Sequence, residues 1–516
     1  MSSKKTTGMK KTIKNSLPKE HYVAGLYHNT TGANPCIPKT PSGIPGLDEV
    51  LQGGLAENRL TLVSGCTGAG KTVLSNQFLY HGIVEMNQPG VFITFEERPQ
   101  DIIDNVAGFG WNYGQLIKQH KLAFVDVSDP GQEQVELNDS YDLSPLLLRI
   151  HHTIEKIGAK RVVIDSMAAL FIQVSNARNV RNLFTRLCHD LKSLGVTTLA
   201  TAERPESMAA LARNGVEEYV ADGVIELSVT PGQQRILRHL FVRKMRGVGY
   251  RSGKVEFDIH THGMELYPKI PIDRRLAKTS LNNLKSFGIE RFDELVGGGI
   301  PEGHMVLISG NTGTGKTTFG LQFALEGVKV GEPVVYVALE EPSGQIKKTA
   351  LGHGWNFKRA IQSGALHFID VPLIDISTDQ LLYTIANSVI KSSCKRIVVD
   401  SISSLESATM NGEQVRQFLI QLLEFCKAQG VTCLMTYLTS GVFGAVRGQL
   451  LGQMETTDMR LSSVVDGIIL LRYVERGQKV KRLLNVLKMR GRQHSKAIYL
   501  YEARKEGIWV GEKYEE

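Results

Sequence analysis

Residues 65–72 read GCTGAGKT, and residues 310–318 read GNTGTGKTT. Both stretches fit the pattern GxxxxGK[ST], in which backbone N–H groups of a glycine-rich loop and the start of the following helix bind nucleotide phosphates. Each loop follows an apolar run, LTLVSG or MVLISG, and precedes a helix-length segment. Because this strand–loop–helix order occurs twice, we expect two nucleotide sites.

The candidate ATP-binding residues of both loops are those that can face phosphate or metal. In the first loop they are Gly65, Thr67, Gly68, Gly70, Lys71, Thr72 and Val73. In the second loop they are Gly310, Thr312, Gly313, Gly315, Lys316, Thr317 and Thr318. The lysines would reach the β- and γ-phosphate oxygens, and the hydroxyls of Thr72 and Thr317 would take a Mg²⁺ position.

Other stretches recur in the same order as the loops. RVVIDS at 161–166 returns as RIVVDS at 396–401, and Lys244-Met-Arg-Gly returns as Lys488-Met-Arg-Gly. A repeat of about 245 residues is far longer than a solenoid unit and indicates a duplicated domain. We therefore divide the chain into a basic, disordered segment (1–34), a first domain (35–267), a linker (268–286) and a second domain (287–516).

Composition and charge limit the function classes. The 516 residues are 42% apolar and 22% charged, which is typical of a globular protein. No apolar run approaches the roughly 20 residues that span a bilayer, and we expect a cytoplasmic protein without membrane partners. The formal charge of +8 is concentrated in residues 1–20, which contain six lysines and one glutamate. The nearly neutral remainder makes nucleic acid an unlikely partner.

Short apolar runs alternate with amphipathic segments through both repeats. In the first repeat the runs are LTLVSG, VFITF, LAFVDV, RVVID, TTLATA, GVIEL and HLFVRK. This alternation predicts an α/β fold in which each domain has a mostly parallel sheet with helices on both faces. The phosphate loop should lie at the carboxyl end of its strand.

Carboxylates follow two of the apolar runs in each repeat. Asp165 and Asp400 end strands and are candidates to hold the metal directly or through water. Glu96-Glu97 and Glu340-Glu341 close the runs VFITF and VVYVAL. We place these glutamates at the end of the strand beside the phosphate loop, where one of each pair would orient or deprotonate an attacking hydroxyl.

Two cations recur late in each repeat. Lys244 and Arg246, and then Lys488 and Arg490, are two residues apart on predicted strands and would share one face. They suit a nucleotide triphosphate and the charge that develops during phosphoryl transfer. Since they lie far along the chain from their own loops, we expect them to act on a neighbouring subunit's ATP; a solvated edge strand is the alternative.

With these motifs in tandem, residues 35–505 resemble the KaiC family of RecA-like ATPases and autokinases. The resemblance implies two tandem RecA-like domains and a homohexamer with ATP between subunits. The first tier would hydrolyse ATP, and the second would also phosphorylate the chain itself. The family's modified hydroxyls match Thr457 and the pair Ser462-Ser463 here, with serine at the second position where the family usually has threonine. Clock- or stress-type signalling is implied.

The chain departs from the family at two places. After GIWVG it stops at Glu516, where clock members continue into a tail that receives an activator, so we expect that site to be absent. Tyr250 stands where the family has a histidine near the first nucleotide, whereas the second repeat keeps His494. A KaiB-like regulator of the first domain is a further expectation.

Two other function classes share these motifs. A RecA-like DNA-dependent ATPase of recombinase or helicase type would need a basic, aromatic-bearing DNA loop. A non-catalytic scaffold assembled by ATP would not need the glutamate pairs, which are intact in both repeats.

Overall fold

Each phosphate-loop motif lies between a buried strand and a helix, as the sequence predicts. In the computed structural model, strand β3 (Leu60–Gly65) is buried throughout, and helix α2 (Lys71–Met86) begins at the lysine of the motif. Strand β14 (Met305–Gly310) and helix α9 (Lys316–Lys329) repeat this order. The glycine before each helix has a φ of 95° or 91°, a left-handed conformation that a residue without Cβ adopts readily.

The structure describes most of both repeats. The described residues are 37–128, 144–167, 177–204, 217–231, 236–272, 279–372, 377–409, 412–439, 463–476 and 479–515. They belong to a single unit, Pro35–Glu516, and the predicted basic segment 1–34 lies outside them. Within these ranges, no helix is both long enough and apolar enough to cross a bilayer.

The described part of the first repeat contains a short ladder and a nine-stranded sheet. The ladder pairs β1 (Lys39–Thr40) with β2 (Leu55–Ala56). The sheet consists of β3, β4 (Gly90–Thr94), β5 (Leu122–Asp126), β6 (Arg161–Asp165), β7 (Thr197–Glu203), β8 (Gly223–Pro231), β9 (Ile236–Met245), β10 (Lys254–His260) and β11 (Gly263–Tyr267). Its order is β11-β10-β9-β8-β3-β7-β6-β4-β5, parallel from β8 to β5 and antiparallel from β8 to β11.

The described part of the second repeat has the same topology. A ladder pairs β12 (Ser280–Lys285) with β13 (Ile300–Glu302), so the predicted linker 268–286 contains a strand that pairs with the second repeat. The nine-stranded sheet consists of β14, β15 (Val334–Ala338), β16 (Leu366–Asp370), β17 (Arg396–Asp400), β18 (Thr432–Leu438), β19 (Gly467–Arg476), β20 (Lys479–Met489), β21 (Ile498–Arg504) and β22 (Gly507–Lys513). Its order is β16-β15-β17-β18-β14-β19-β20-β21-β22.

Helices accompany both sheets. In the described part of the first repeat they are α1 (Leu47–Val50), α2, α3 (Pro99–Ala107), α4 (Tyr113–Lys118), α5 (Ser144–Ile157), α6 (Ala177–Ser193) and α7 (Glu217–Val220). In the second repeat they are α8 (Glu290–Leu295), α9, α10 (Ser343–Gly352), α11 (Lys358–Gln362), α12 (Thr378–Ser392), α13 (Ile402–Thr409) and α14 (Gly412–Gln429).

The two faces of each sheet pack against different helices because successive strand residues point to opposite sides. Leu62 of β3 packs in the core that includes Ile154 of α5 and Phe184 of α6. Its neighbour Val63 packs in the core that includes Phe78 of α2. The predicted α/β fold, a mostly parallel sheet with helices on both faces of each domain, is confirmed.

Polar contacts join the two repeats. Tyr383 Oη of α12 donates a hydrogen bond to Glu49 Oε1 of α1 at 3.1 Å, and Gln380 Nε2 donates to Tyr267 Oη at 2.9 Å. Burial raises the pKa of Glu49, against the opposing effect of the Tyr383 hydrogen bond. The first repeat therefore contacts the second through side chains of α1 and β11.

A fully buried arginine ties the segment before α1 to the sheet. Arg161, at the start of β6, donates to the carbonyl oxygens of Phe78 and Pro41 at 2.8 and 2.7 Å and to Gln88 Oε1 at 2.7 Å. Its guanidinium also lies 4.4 Å from the centre of the Phe78 ring. Arg396 is buried at the matching position of the second repeat, where it contacts Glu332.

We predict that Arg161→Met lowers the free energy of unfolding by about 3 kcal/mol, since each buried carbonyl left without a donor costs roughly 1–3 kcal/mol. Urea denaturation followed by circular dichroism would measure the change. Arg181→Met, which alters an exposed arginine of α6, is the matched control and should have little effect. Equal stability of the two variants would contradict the role of Arg161.

Candidate functional site

Each phosphate-loop lysine folds back over its own loop. Lys71 Nζ donates to the carbonyl oxygens of Gly65 and Cys66, both at 3.0 Å, and Lys316 Nζ donates to those of Gly310 and Asn311 at 2.9 and 3.0 Å. Burial lowers the pKa of Lys316, and the charges of nearby Glu340 and Asp400 oppose that effect. The ammonium group is thus held at the loop, where phosphate oxygens would meet it.

The other predicted loop residues lie where their motif requires. Thr67, Gly68 and Gly70 precede α2, as Thr312, Gly313 and Gly315 precede α9. Thr72 and Val73, and Thr317 and Thr318, lie in the first turn of those helices. The N-terminal end of a helix attracts anions, so both loops are suited to phosphate.

The predicted metal-binding residues of the first repeat contact each other. Thr72 Oγ1 donates to Asp165 Oδ2 at 2.9 Å, and Thr201 Oγ1 donates to the other carboxylate oxygen. A hydroxyl and a carboxylate next to a phosphate loop are the hard oxygen ligands that Mg²⁺ takes, usually with phosphate and water completing its shell. These residues fit Mg²⁺.

The second repeat arranges its aspartate differently. Asp400 accepts hydrogen bonds from Tyr336 Oη at 2.9 Å and from Thr436 Oγ1. Asp400 is only 5% exposed. Within the described residues, Thr317 makes no hydrogen bond to it. Oxygen ligands for Mg²⁺ are present here too, but among the described residues the loop threonine and the aspartate are not hydrogen-bonded to each other.

The glutamate pairs follow their strands rather than ending them. β4 ends at Thr94, so alternation along a strand does not assign Glu96 and Glu97 to opposite faces. Ser166 Oγ donates to Glu96, while Asn105 Nδ2 donates to Glu97 Oε2 at 3.2 Å. Burial and the charge of Asp165 raise the pKa of Glu97.

One expectation about these glutamates is wrong. β4 does not lie beside the phosphate-loop strand, because β7 and β6 intervene in the sheet, and β18 and β17 likewise separate β14 from β15. The carboxylates approach the loops across the strand that carries the aspartate. Glu340 is close enough to Lys316 to influence its pKa, and Glu341 follows Glu340 in the same exposed turn.

The late cations bond to the backbone of their own chain. Lys244 Nζ donates to the carbonyl oxygen of Glu218 at 2.8 Å, and Arg246 donates to that of Tyr219 at 2.9 Å. Partial burial and the neighbouring Arg246 lower the pKa of Lys244. In the second repeat, Lys488 donates to the carbonyl oxygen of Val465 at 2.7 Å, and Arg490 to that of Ser463 at 3.1 Å.

The strands that carry these cations differ from the prediction in two ways. β9 ends at Met245 and β20 at Met489, so each arginine follows the strand instead of sharing a strand face with the lysine. Neither strand is the outermost strand of its sheet, since β9 pairs with both β8 and β10 and β20 pairs with both β19 and β21. A solvated edge strand is therefore wrong for both repeats.

The cations and the phosphate loop of one repeat lie at opposite ends of the sheet's strands. Here, the two edges of a sheet are the lines formed by the amino ends and by the carboxyl ends of its parallel strands. Thr61 pairs with Gly223, and Gly223 pairs with Met245, so the end of β9 is level with the start of β3, with β8 between them. The loop follows the other end of β3, at Gly65, four residues or about 13 Å of strand away. In the second repeat, Val306 pairs with Gly467 and Gly467 with Met489, which gives the same separation.

Of the predicted phosphorylation sites, only Ser463 falls within the described residues. It is exposed, and it precedes β19 at the same sheet edge as Arg490. Thr457 and Ser462 lie outside the described residues. Ser463 is therefore remote from the phosphate loop of its own repeat.

Sequence reasoning missed a buried ionic group beside the first loop. Glu226 of β8 is 6% exposed and accepts hydrogen bonds from Arg204 and, at 2.6 Å, from Arg243. Leu470 occupies the place of Glu226 in the second repeat, since each pairs with the serine before the last residue of the loop strand. An acidic residue inside the apolar run GVIEL was the available signal.

The chain is similar to known proteins along nearly its whole length. A family model described as "ATPase: KaiC" matches it twice, over residues 40–270 and 285–515. The circadian clock oscillator protein KaiC of Thermostichus vulcanus is 37% identical over 479 residues, 93% of this chain and 90% of that protein. KaiC of Synechococcus elongatus is 37% identical over 471 residues, 91% and 88%. The resemblance seen in the motifs is confirmed.

We predict that Asp101→Asn shifts the acid limb of the first site's ATPase activity to lower pH. Asp101 is one of the charges that raise the pKa of Glu97, so its removal should lower that pKa. A glutamate base works when deprotonated and is lost as the pH falls through its pKa, so the lower pKa extends activity into more acid solution.

The measurement is the pH profile of phosphate release in a Glu340→Gln background. Asp104→Asn, on the same helix, is the matched control, because Asp104 bonds Gln100 and is not among the charges acting on Glu97. Identical acid limbs for Asp101→Asn and wild type would contradict a role for Glu97 in the first site.

Proposed function

The chain belongs to the KaiC family of ATPases, and we propose that it forms an ATP-dependent homohexamer with nucleotide at the subunit interfaces. The family supports nucleotide binding and ATPase activity. We further propose that the first repeat hydrolyses ATP with Mg²⁺ and that the second also transfers phosphate to its own chain.

The main support for this proposal is that each repeat has its phosphate loop and its Lys-Met-Arg cations at opposite edges of its sheet. Lys244 and Arg246 are separated from Lys71 by the length of β3, and Lys488 and Arg490 from Lys316 by that of β14. Cations on one subunit would therefore complete the nucleotide site of the next, as arginine fingers do in trans. Contact between edges of opposite kind would join subunits head to tail and close a ring.

In the second repeat, this arrangement favours transfer to a neighbour. Ser463 shares its edge with Arg490, so its hydroxyl would meet the ATP held by the next subunit's Lys316. Within the described residues, the carboxylate of Glu340 accepts no hydrogen bond, because Ser401 bonds Ser403 instead of the glutamate. Glu340 is thus available as a base.

The transfer step uses these groups in fixed roles. Glu340 takes the serine proton, the serine oxygen bonds the γ-phosphorus, and the bond to the β–γ bridging oxygen breaks, so that ADP leaves with that electron pair. Lys316 and the neighbour's Lys488 and Arg490 stabilise the charge on the phosphoryl oxygens. Bound Mg²⁺, held near Thr317 and Asp400, would neutralise phosphate charge.

The acceptors would be Ser462, Ser463 and Thr457. A phosphate adds roughly two negative charges at the subunit boundary, so it would change the charge repulsion and the ion pairs between subunits. The ring would then have distinct phosphorylated and unphosphorylated states that a partner could distinguish. We propose a signalling role of clock or stress type in the cytoplasm, with a KaiB-like regulator on the first repeat. Both named relatives are circadian clock oscillator proteins.

We predict that removal of ATP dissociates the ring, because a ligand that bridges two subunits stabilises only the assembled state. Light scattering before and after nucleotide removal would report the mass. Arg246→Ala should raise the ATP concentration needed for assembly, whereas Lys254→Ala, an exposed cation of β10, should not. An unchanged mass without ATP would count against nucleotide bridging.

We predict that Lys316→Ala and Glu340→Gln abolish or greatly reduce phosphate on Ser462, Ser463 and Thr457, while the first repeat continues to release phosphate from ATP. Lys71→Ala should instead impair assembly and bulk ATPase activity. Phosphopeptide mapping after incubation with Mg²⁺-ATP, together with a phosphate-release assay, would test both. Wild-type protein without phosphate at these residues would overturn the autokinase proposal, and full phosphorylation of Glu340→Gln would overturn the base assignment.

A further inference from the structure

Asp165 and Asp400, the aspartates predicted to hold the metal, each accept two side-chain hydrogen bonds, one at each carboxylate oxygen. The donor to one of these oxygens differs between the repeats. Both share one kind of contact: Thr201 on β7 donates to Asp165, and Thr436 on β18 donates to Asp400. The second oxygen differs. In the first repeat Thr72 of the phosphate loop donates to it at 2.9 Å, and in the second repeat Tyr336 of β15 donates at 2.9 Å.

Matching positions in the two sheets show which residue makes the difference. Phe92 pairs with Val163 in the first repeat, and Tyr336 pairs with Val398 in the second. The two rings therefore occupy equivalent places, and only the second carries a hydroxyl. Tyr336 is fully buried, so this hydroxyl has Asp400 as its hydrogen-bond acceptor in place of water.

The helix that follows the phosphate loop also differs next to this ring. Gly320 of α9 corresponds to Ser75 of α2, since each is the fourth residue after the loop lysine. A Cβ at Gly320 would lie 3.4 Å from Tyr336 Oη and 3.0 Å from Val398 Cγ1. Ser75 instead donates to the carbonyl oxygen of Lys71 at 3.0 Å. Gly320 thus leaves space beside the Tyr336 hydroxyl, and the first repeat has Ser75 and Phe92 at the corresponding positions.

We infer that Tyr336 is a positioning residue of the second site, whose hydroxyl occupies the Asp400 oxygen that the loop threonine uses in the first site, so that the second site holds its divalent cation less tightly. This inference rests on the proposed nucleotide–Mg²⁺ role of both sites. It concerns how tightly the cation is held, and not whether phosphate is transferred.

The chemistry follows from which hydroxyl donates to the second aspartate oxygen. A hydrogen bond from the loop threonine to the aspartate orients the threonine oxygen toward a bound cation and leaves the carboxylate facing it. In both sites each aspartate oxygen accepts one side-chain hydroxyl, but in the second site Tyr336 takes the place of the loop threonine, and Thr317 has no such bond among the described residues.

The test uses Mn²⁺ as a probe of the Mg²⁺ position in the full-length protein with a non-hydrolysable ATP analogue. Electron paramagnetic resonance counts free Mn²⁺ during a titration and resolves two classes of site. Tyr336→Phe should tighten the weaker class by about tenfold, the usual lower size of an outer-shell effect, and leave the tighter class unchanged.

A reciprocal variant tests the same idea in the other repeat. Ser75→Gly combined with Phe92→Tyr recreates the second site's arrangement in the first, and should weaken the tighter class by a similar factor. Tyr336→Phe combined with Gly320→Ser restores the first site's pair in the second and should match Tyr336→Phe alone. Circular dichroism would establish that each variant is folded.

A single class of Mn²⁺ sites in wild type, or an unchanged or weaker second class in Tyr336→Phe, would overturn the inference. These outcomes are distinct from failure of the proposed function, which phosphopeptide mapping reports. A Tyr336→Phe protein that lost self-phosphorylation without any change in Mn²⁺ affinity would overturn this inference alone.

Discussion

The register of the strands around each phosphate-loop strand determines how far the late cations lie from the phosphate loop of the same repeat. Parallel pairing of β3 with β8 and antiparallel pairing of β8 with β9 bring Met245 level with the start of β3. The loop must then emerge at the opposite edge of the sheet. Because the second repeat has the same strand order, it has the same division. On our proposal, each subunit therefore carries two half-sites that only a neighbour can complete.

Within that shared frame, the two repeats differ in the hydrogen-bond partners of the aspartate and of the serine that follows it. Asp165 bonds the loop threonine and Glu96 bonds Ser166, whereas Asp400 bonds Tyr336 and Ser401 bonds Ser403. Among the described residues of the second site, Thr317 therefore has no hydrogen bond to the aspartate and Glu340 has none to the serine. On our account, the first site is held in one arrangement for hydrolysis, and the second is freer to accept a protein hydroxyl.

Local pattern was sufficient to predict the loops, the strands and the duplication. LTLVSG and MVLISG became buried strands, and both helices begin at the loop lysine, because apolar runs and glycine-rich turns act over a few residues. Strand order is a long-range property, so the prediction that the strand VFITF lies beside the phosphate loop missed the two strands, β7 and β6, that separate β4 from β3. Hydrogen bonds between distant side chains were equally hidden: nothing near Arg161 signals that it is fully buried, and nothing near Tyr336 signals Asp400.

The most direct test of intersubunit catalysis mixes two defective chains of different mass. Lys316→Ala chains retain acceptors but lack the loop lysine, and chains with Ser462, Ser463 and Thr457 changed to alanine retain the loop but lack acceptors. Each alone should remain unphosphorylated. After disassembly, mixing and reassembly with Mg²⁺-ATP, our account predicts phosphate on the Lys316→Ala chains. Mixed rings in which those chains stay unmodified, while wild-type rings are phosphorylated, would contradict it.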